Sequence, residues 1–270
     1  MPELPDVEVF RQYFNATSLH QKIKNVEVRS RDILENVSSR KLGARLKGRS
    51  FETTDRYGKY LLAQFDDDGW LVIHFGMTGY LKYFKDMDND PPHDRMLTSF
   101  SNDYHLAFSC QRKLGEIELM KGFQDLKETK DLGPDAMDPE FDSQSFKQVL
   151  KGRRGAIKPT LMNQQAMAGI GNVYSDEMLF QAGIHPGTKV DHLDEKKLAV
   201  LFHSMKRVLQ TAIDSRADPD KFPESYITPH RNRDDRCPGC KGRIEHAKIS
   251  GRTAYFCPKC QKKVNSVQRT

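Results

Sequence analysis

The sequence predicts an α+β protein of two domains, a β-rich half followed by a helical half that closes on a cysteine-bearing hairpin. Three observations carry this. Short apolar or alternating runs recur at close spacing up to residue 120. From residue 143 onward the apolar residues fall at helical spacing. Two Cys-x-x-Cys pairs then stand sixteen residues apart near the C-terminus.

Taken in order, a helix is expected over residues 5–15, with Pro5 in its first turn, where its missing N–H costs nothing. Residues 22–30 alternate, placing Ile23, Val26 and Val28 near one face. The runs 60–65, 70–75, 80–84, 105–110 and 116–120 follow, bounded by turn residues such as Asp66-Asp67-Asp68-Gly69. Strands this short and this close make a sandwich or a barrel. Helices are expected over residues 143–151, 172–182 and 194–215. In the last, Leu198, Leu201, Phe202, Met205, Val208, Leu209 and Ala212 form one stripe, read as core. A boundary is expected near residues 132–141, which are rich in Gly, Pro and Asp. Beyond Ser215 the chain is polar and carries Pro219, Pro223 and Pro229.

At 270 residues, 37% hydrophobic and 30% charged, the chain can bury a sizeable core. That excludes a disulfide-stapled mini-protein and a wholly disordered chain. No run approaches the roughly 18 apolar residues of a membrane span. The start, MPELPDVEVF, lacks the basic region of a secretory signal. An intracellular protein with no membrane partner is expected. Its net charge of +6 is unevenly placed: residues 230–270 hold eleven Lys and Arg against three Asp and Glu, while the rest of the chain holds 32 against 34. A concentrated basic segment favours a polyanion, most plainly nucleic acid, although a solvated basic tail has the same composition.

The cysteine pairs are Cys237-Pro-Gly-Cys240 and Cys257-Pro-Lys-Cys260. Two short turns that each aim two thiolates at one point suit one structural Zn²⁺ held in a tetrahedron. Two disulfides are the alternative, disfavoured inside a cell. Between the pairs, residues 243–248 and 253–256 read as a hairpin turning at Ser250-Gly251, with Arg252 at its tip. The fifth cysteine, Cys110, reads as a small buried hydrophobe.

Four places could carry chemistry. Removal of Met1 would expose Pro2 as a secondary amine with a usable neutral fraction near pH 7. Such an amine attacking a sugar C1′ gives an iminium that has no N–H to lose and pulls electrons from the sugar, and Glu3 stands ready to move protons. In Gly169-Ile170-Gly171-Asn172, a glycine-rich turn enters a helix with Asn172 as its expected N-cap, leaving N–H groups for a phosphate. Lys59 is expected to begin a strand. Residues 152–158 form a basic cluster able to grip phosphates. Each has a plainer reading alone: a frayed end, a helix corner, a solvated edge lysine, an exposed cluster.

Together, and in this order, these features resemble the formamidopyrimidine-DNA glycosylase/endonuclease VIII family across essentially the whole chain. Leu4 stands where the endonuclease VIII branch usually has Gly, so the start is similar to the formamidopyrimidine branch. Gly76-Met77-Thr78-Gly79 resembles that branch's Gly-Met-Ser-Gly loop, and Ala182-Gly183-Ile184-His185-Pro186 also matches. The resemblance implies an N-terminal β-sandwich catalytic domain with a flanking helix (residues 1–131), a helix–two-turn–helix domain (132–229) and a zinc finger (230–270). It implies a monomeric, bifunctional DNA glycosylase and AP lyase of base-excision repair, acting on damaged double-stranded DNA, with a catalytically silent DNA-binding protein of the same fold as the alternative. Pro2 would be the Schiff-base nucleophile and Glu3 the general acid/base. Lys59 would assist β-elimination, and Arg252 and Asn172 would bind phosphates beside the flipped nucleotide. His93 and Arg153 would add DNA contacts. Met77 would fill the vacated stack, with Arg112 inserted opposite the extruded base and Leu114 in the place of the family's phenylalanine wedge.

The chain departs from the family pattern in three places. Asp6 replaces a Glu. Cys110-Gln111-Arg112-Lys113-Leu114-Gly115 replaces Asp-Pro-Arg-Arg-Phe-Gly. The stretch from Ser215 to Cys237 is short, leaving Ser225-Tyr226-Ile227-Thr228 as the expected remnant of a lesion-capping loop.

Overall fold

Helix α1, Leu4–Ser18, begins the fold, running three residues past the expected end to the buried Ser18. The computed structural model describes residues 1–66, 69–232 and 235–263, and it forms two units, Met1–Lys130 and Asp131–Thr270. Asp67 and Asp68 of the expected acidic turn lie outside the described residues, as does the chain beyond Lys263.

Among the described residues the first unit holds eight strands: β1 (Ile23–Val28), β2 (Thr53–Tyr57), β3 (Tyr60–Asp66), β4 (Gly69–His74), β5 (Gly79–Phe84), β6 (Asp94–Phe100), β7 (His105–Cys110) and β8 (Glu116–Met120). They pair antiparallel into two four-stranded sheets, ordered β1-β6-β7-β5 and β2-β3-β4-β8. Leu61, Ile73 and Ile117 from one sheet meet Ile23, Met96 and Phe108 from the other in a single core. That shared core makes the unit a sandwich, and the barrel reading falls. Helix α1 adds Val7 and Phe14 to the core, and α2 (Ser39–Leu46) adds Leu42 and Leu46. Helix α3, Phe123–Lys130, closes the unit. Cys110 lies fully buried in the same core, as expected.

The second unit is helical: α4 (Ser143–Leu150), α5 (Ile157–Leu161), α6 (Asn172–Gln181) and α7 (Glu195–Asp214). The Asp142 and Asp194 carboxylates accept backbone N–H groups at the starts of α4 and α7, satisfying donors that the helix leaves open. The expected stripe of α7 faces inward, with Leu201, Met205, Val208, Leu209 and Ala212 buried. Between α5 and α6, residues 162–171 make two tight turns knit by one side chain. Gln164 donates to the carbonyls of Met162 and Ile170 and accepts from the Gly169 N–H.

The hairpin is β9 (Glu245–Ile249) and β10 (Arg252–Phe256), turning at Ser250-Gly251 with φ of +48° and +79°. Two left-handed residues are what a two-residue turn between twisted strands requires. Strand β10 packs on α6. Gln261, buried, seats the base of the hairpin: its oxygen accepts from Cys257 N–H and its nitrogen donates to the Ile184 carbonyl, both at 2.9 Å.

Candidate functional site

In the first unit, Glu3 is the N-cap of α1. It is 1% exposed, and its backbone N–H donates to Asp6 Oδ2 at 2.8 Å within a reciprocal capping box. Burial, above all, pushes the Asp6 carboxyl up to about 6; the nearby Glu3 carboxylate adds to this and the Glu3 N–H opposes it. Pro2 is partly exposed just ahead of this corner. The corner is fixed to the sheet one and a half turns along α1. There Arg56 lies 3.4 Å from Glu8, while its Nη1 donates to the Gly58 carbonyl at 3.1 Å.

Gly58 and Lys59 form the two-residue turn between β2 and β3, so Lys59 precedes the strand it was expected to begin. It is also buried, which removes the reading of a solvated edge lysine. Arg56 therefore joins the N-terminal end of α1 to the turn that carries Lys59.

His74, at the end of β4, was passed over in the sequence because it falls inside an apolar run. Its Nδ1 is buried without a hydrogen-bond partner among the described residues. Burial pushes its pKa below 6.5, Glu116 opposes the shift, and the charges of Lys59 and Lys130 reinforce it. Its surroundings therefore favour the neutral imidazole.

Three turns of the first unit carry the remaining expected residues. Met77 and Leu114 stand out as exposed large hydrophobics, at 36% and 49%. Arg112 is exposed between them in sequence, and its backbone N–H donates to Thr78 Oγ1. His93 adopts φ +63°, left-handed for a side chain, and its carbonyl accepts from Cys110 N–H at the start of the Arg112 turn. Below it, Asp94 is buried against Arg29 Nη1 at 2.9 Å.

In the second unit, α6 starts at Asn172 with Gly171 at the cap position, so Asn172 is the first helical residue and not the N-cap that was expected. Its Oδ1 is buried with no hydrogen-bond partner among the described residues. Lys158 carries a larger correction. Read as part of a basic cluster able to grip phosphate, it lies 0% exposed inside α5, paired with the equally inaccessible Asp176 of α6. Lys158 Nζ also donates to the carbonyls of Asn172 at 3.1 Å and Thr253 at 3.4 Å. The other Asp176 oxygen accepts from Tyr255 N–H at 3.2 Å and Arg231 Nη2 at 3.0 Å. Burial pushes the Asp176 carboxyl up while the cations on either side pull it down. This ion cluster bonds the first residue of α6 to strand β10, which begins at the exposed Arg252. Asn172 and Arg252 are thus presented by one rigid assembly.

Sequence reasoning missed Asp176 and Arg231. The signal was available in α6 itself, where Ser175-Asp176-Glu177 interrupts what a buried helix face would otherwise fill with apolar groups. Arg153 stands apart from the cluster. Its Nε donates to the Val149 carbonyl, and it lines an open groove of about 430 Å³ with Lys147, Lys151 and Arg154. The expected loop remnant is no free flap either. Tyr226 and Ile227 are buried, and Glu177 accepts from the N–H groups of Ile227 and Thr228 and from the Thr228 hydroxyl.

The sulfurs of Cys237, Cys240, Cys257 and Cys260 lie within 4.8 Å of one another, with Cys237–Cys260 at 3.7 Å and Cys240–Cys257 at 3.4 Å. A tetrahedron with Zn–S bonds of about 2.3 Å has edges of about 3.8 Å. The donor set therefore fits one structural Zn²⁺, with all four positions taken by thiolates.

A β-sandwich followed by a helix–two-turn–helix and a four-cysteine finger defines a DNA-repair class of protein. The comparisons agree domain by domain. The formamidopyrimidine-DNA glycosylase N-terminal domain matches residues 1–117, its H2TH domain residues 132–222, and the zinc finger found in FPG and IleRS residues 234–263. The formamidopyrimidine-DNA glycosylase of Moorella thermoacetica is 34% identical over 270 residues, covering 99% of this chain and 95% of its own. That of Pelotomaculum thermopropionicum is 30% identical, covering 97% and 99%. Among solved structures, the Lactococcus lactis glycosylase bound non-covalently to DNA containing an AP site superposes with a TM-score of 0.86 at 30% identity, covering 97% of this chain and 100% of that one. MutM in complex with DNA containing carbocyclic 8-oxo-G gives 0.86 at 31% identity and the same coverage. The chain belongs to the formamidopyrimidine-DNA glycosylase family of base-excision repair.

Proposed function

We propose that this chain is a bifunctional glycosylase and AP lyase that excises an oxidised base from duplex DNA and then cuts the strand. The observation that carries the reading is the N-terminal corner of the sandwich. A proline sits partly exposed one residue before a buried carboxylate, at the head of a helix fixed to the Lys59 turn.

With Met1 removed, the Pro2 nitrogen attacks C1′ and the base departs as a proton is delivered to it. The nitrogen gives up its proton and the C1′–O4′ bond breaks, O4′ leaving as a hydroxyl, so that C1′ and the Pro2 nitrogen are left as an iminium, which acidifies C2′–H. Glu3 moves the protons. Loss of a C2′ proton expels the 3′-phosphate, and a second elimination expels the 5′-phosphate. Lys59 assists the elimination and holds phosphate. Asn172 and Arg252 grip phosphates beside the flipped nucleotide, where a helix start and a cation suit anions. His93 and Arg153 add backbone contacts. Met77 and Leu114 occupy the gap left by the extruded base, offsetting part of the few kcal/mol of lost stacking. Arg112 faces the base left unpaired.

The lyase role draws support from the relative in complex with AP-site DNA, and the oxidised-base class from the relative with 8-oxo-G DNA. The proposed domains are a catalytic sandwich (1–131), a helix–two-turn–helix domain (132–229) and a zinc finger (230–270). One lesion on one strand needs one copy of the chain, working wherever the cell keeps its DNA.

Borohydride trapping on an abasic duplex tests the reading. The wild type should form a covalent adduct, and Pro2→Gly should trap at least a hundredfold less. Intact mass should show Met1 absent from the active protein. No adduct from a protein lacking Met1 would leave a silent DNA-binding protein of the same fold.

A further inference from the structure

The segment that carries Arg112 and Leu114 is held from two sides by residues given no role so far. On one side, Thr78 Oγ1 accepts the Arg112 N–H at 3.2 Å. On the other, Arg95 of β6 donates from Nε to the Cys110 carbonyl at 2.9 Å and from Nη2 to the Gln111 carbonyl at 3.4 Å. The backbone polar groups leading into Arg112 are thus taken by side chains from two different places, the turn before β5 and strand β6.

Gly76 adds a third constraint. At φ +59° its backbone presses so close that a Cβ would lie 2.2 Å from the Leu114 carbonyl oxygen. The turn bearing Met77 and the turn bearing Leu114 therefore touch backbone to backbone.

The Arg112 guanidinium has no hydrogen bond or ion pair among the described residues, and the side chain is exposed. Its direction is set by its own backbone. Lys113 N–H donates to the Cys110 carbonyl at 3.3 Å, closing a turn whose central peptide joins Gln111 to Arg112, and rotation of that central peptide interconverts the common turn types. The Thr78 bond blocks that rotation from the N–H end, and the Arg95 bond blocks it from the carbonyl end.

We propose that Thr78 and Arg95 are positioning residues that aim Arg112, and that they thereby set how strongly the protein distinguishes the base opposite the lesion. This rests on the proposed placement of Arg112 against the unpaired base. An arginine discriminates bases by the geometry of its donors, each good pair of hydrogen bonds being worth about tenfold or more. A misdirected guanidinium keeps its charge, and so its general attraction to DNA, but loses that geometry.

The test uses the full-length protein and duplexes bearing one preformed abasic site opposite dC, dA, dG or dT. The readouts are Kd for each duplex and the borohydride trapping rate on a single-stranded abasic oligonucleotide. The wild type should show a spread of affinities across the four opposite bases, which Arg112→Ala should collapse. Thr78→Val and Arg95→Met should each compress the spread by about tenfold, leaving single-strand trapping unchanged, and Thr78→Ser should restore it. If Arg112→Ala collapses the spread while Thr78→Val leaves it intact, or weakens all four duplexes equally, the positioning role is wrong. If the wild type has no spread, or Arg112→Ala leaves one in place, the placement of Arg112 itself is wrong.

Discussion

The two units present their working residues by different physics. In the sandwich, one core of more than twenty buried side chains spans both sheets and two helices, and the functional corner is seated on it through Val7 and Phe14 of α1, with the Arg56–Glu8 pair beside it. Beneath the zinc hairpin the buried cluster is Ile227, Cys237, Ile244 and Cys257, two of which are metal ligands. A hairpin with so little apolar area cannot hold itself together and takes its rigidity from a metal and a buried ion cluster. The sandwich should therefore tolerate change at its functional corner, whereas the second unit should lose structure and grip together.

The strongest break should come from the metal. Cys257→Ser removes one of four ligands, so the protein should lose its zinc and at least a hundredfold in affinity for duplex DNA. Metal content and a gel shift at fixed salt check this. Zinc-free protein with full affinity would refute the role of the finger.

Next in size is the ion cluster. Asp176→Ala removes the carboxylate that Lys158 and Arg231 share in a buried site, which should cost about 3–5 kcal/mol of stability by denaturant unfolding. The paired replacement Lys158→Met with Asp176→Leu should recover most of that stability. It should not restore DNA affinity if bonding α6 to β10 is what presents Asn172 and Arg252.

A smaller effect follows from Arg252→Ala. Taking one cation away from the phosphate backbone should weaken binding evenly across sequences and reduce the slope of log affinity against log salt by about one. Folding should be unaffected, since the side chain is exposed.

The smallest effect belongs to the sandwich and comes with a sign. The Asp6 carboxyl is raised from 3.8 to about 6, mainly by burial. Its contribution to stability is therefore complete below pH 4 and is lost as pH rises through 6. Asp6→Asn should stabilise the protein by about 1–2 kcal/mol at pH 7.5 and by nothing at pH 4, read as melting temperature at the two pH values.

These contrasts also explain what could be read from the chain. The buried strands β3, β4 and β7 announce themselves by apolar runs, and the finger by its cysteine spacing. Strand β2, Thr53–Tyr57, was missed because it is a polar edge strand with only Thr54 and Tyr57 buried. Helix α3 was missed because Leu126 is its one buried residue. The site divides in the same way. Pro2, Glu3, Asn172 and Arg252 could be proposed from the sequence because their motifs are local. Asp176 and Arg231 were not, because a charge buried by tertiary contact resembles a surface charge until its partner, 18 or 55 residues away, is known.

Gln261 carries a consequence for the ageing of the protein. One amide serves as donor at one end and acceptor at the other, deep under the finger. Hydrolysis of that amide to a carboxylate would erase the donor and set an anion against the Ile184 carbonyl. A single deamidation would thus loosen the seat of the metal site without breaking any bond of the main chain.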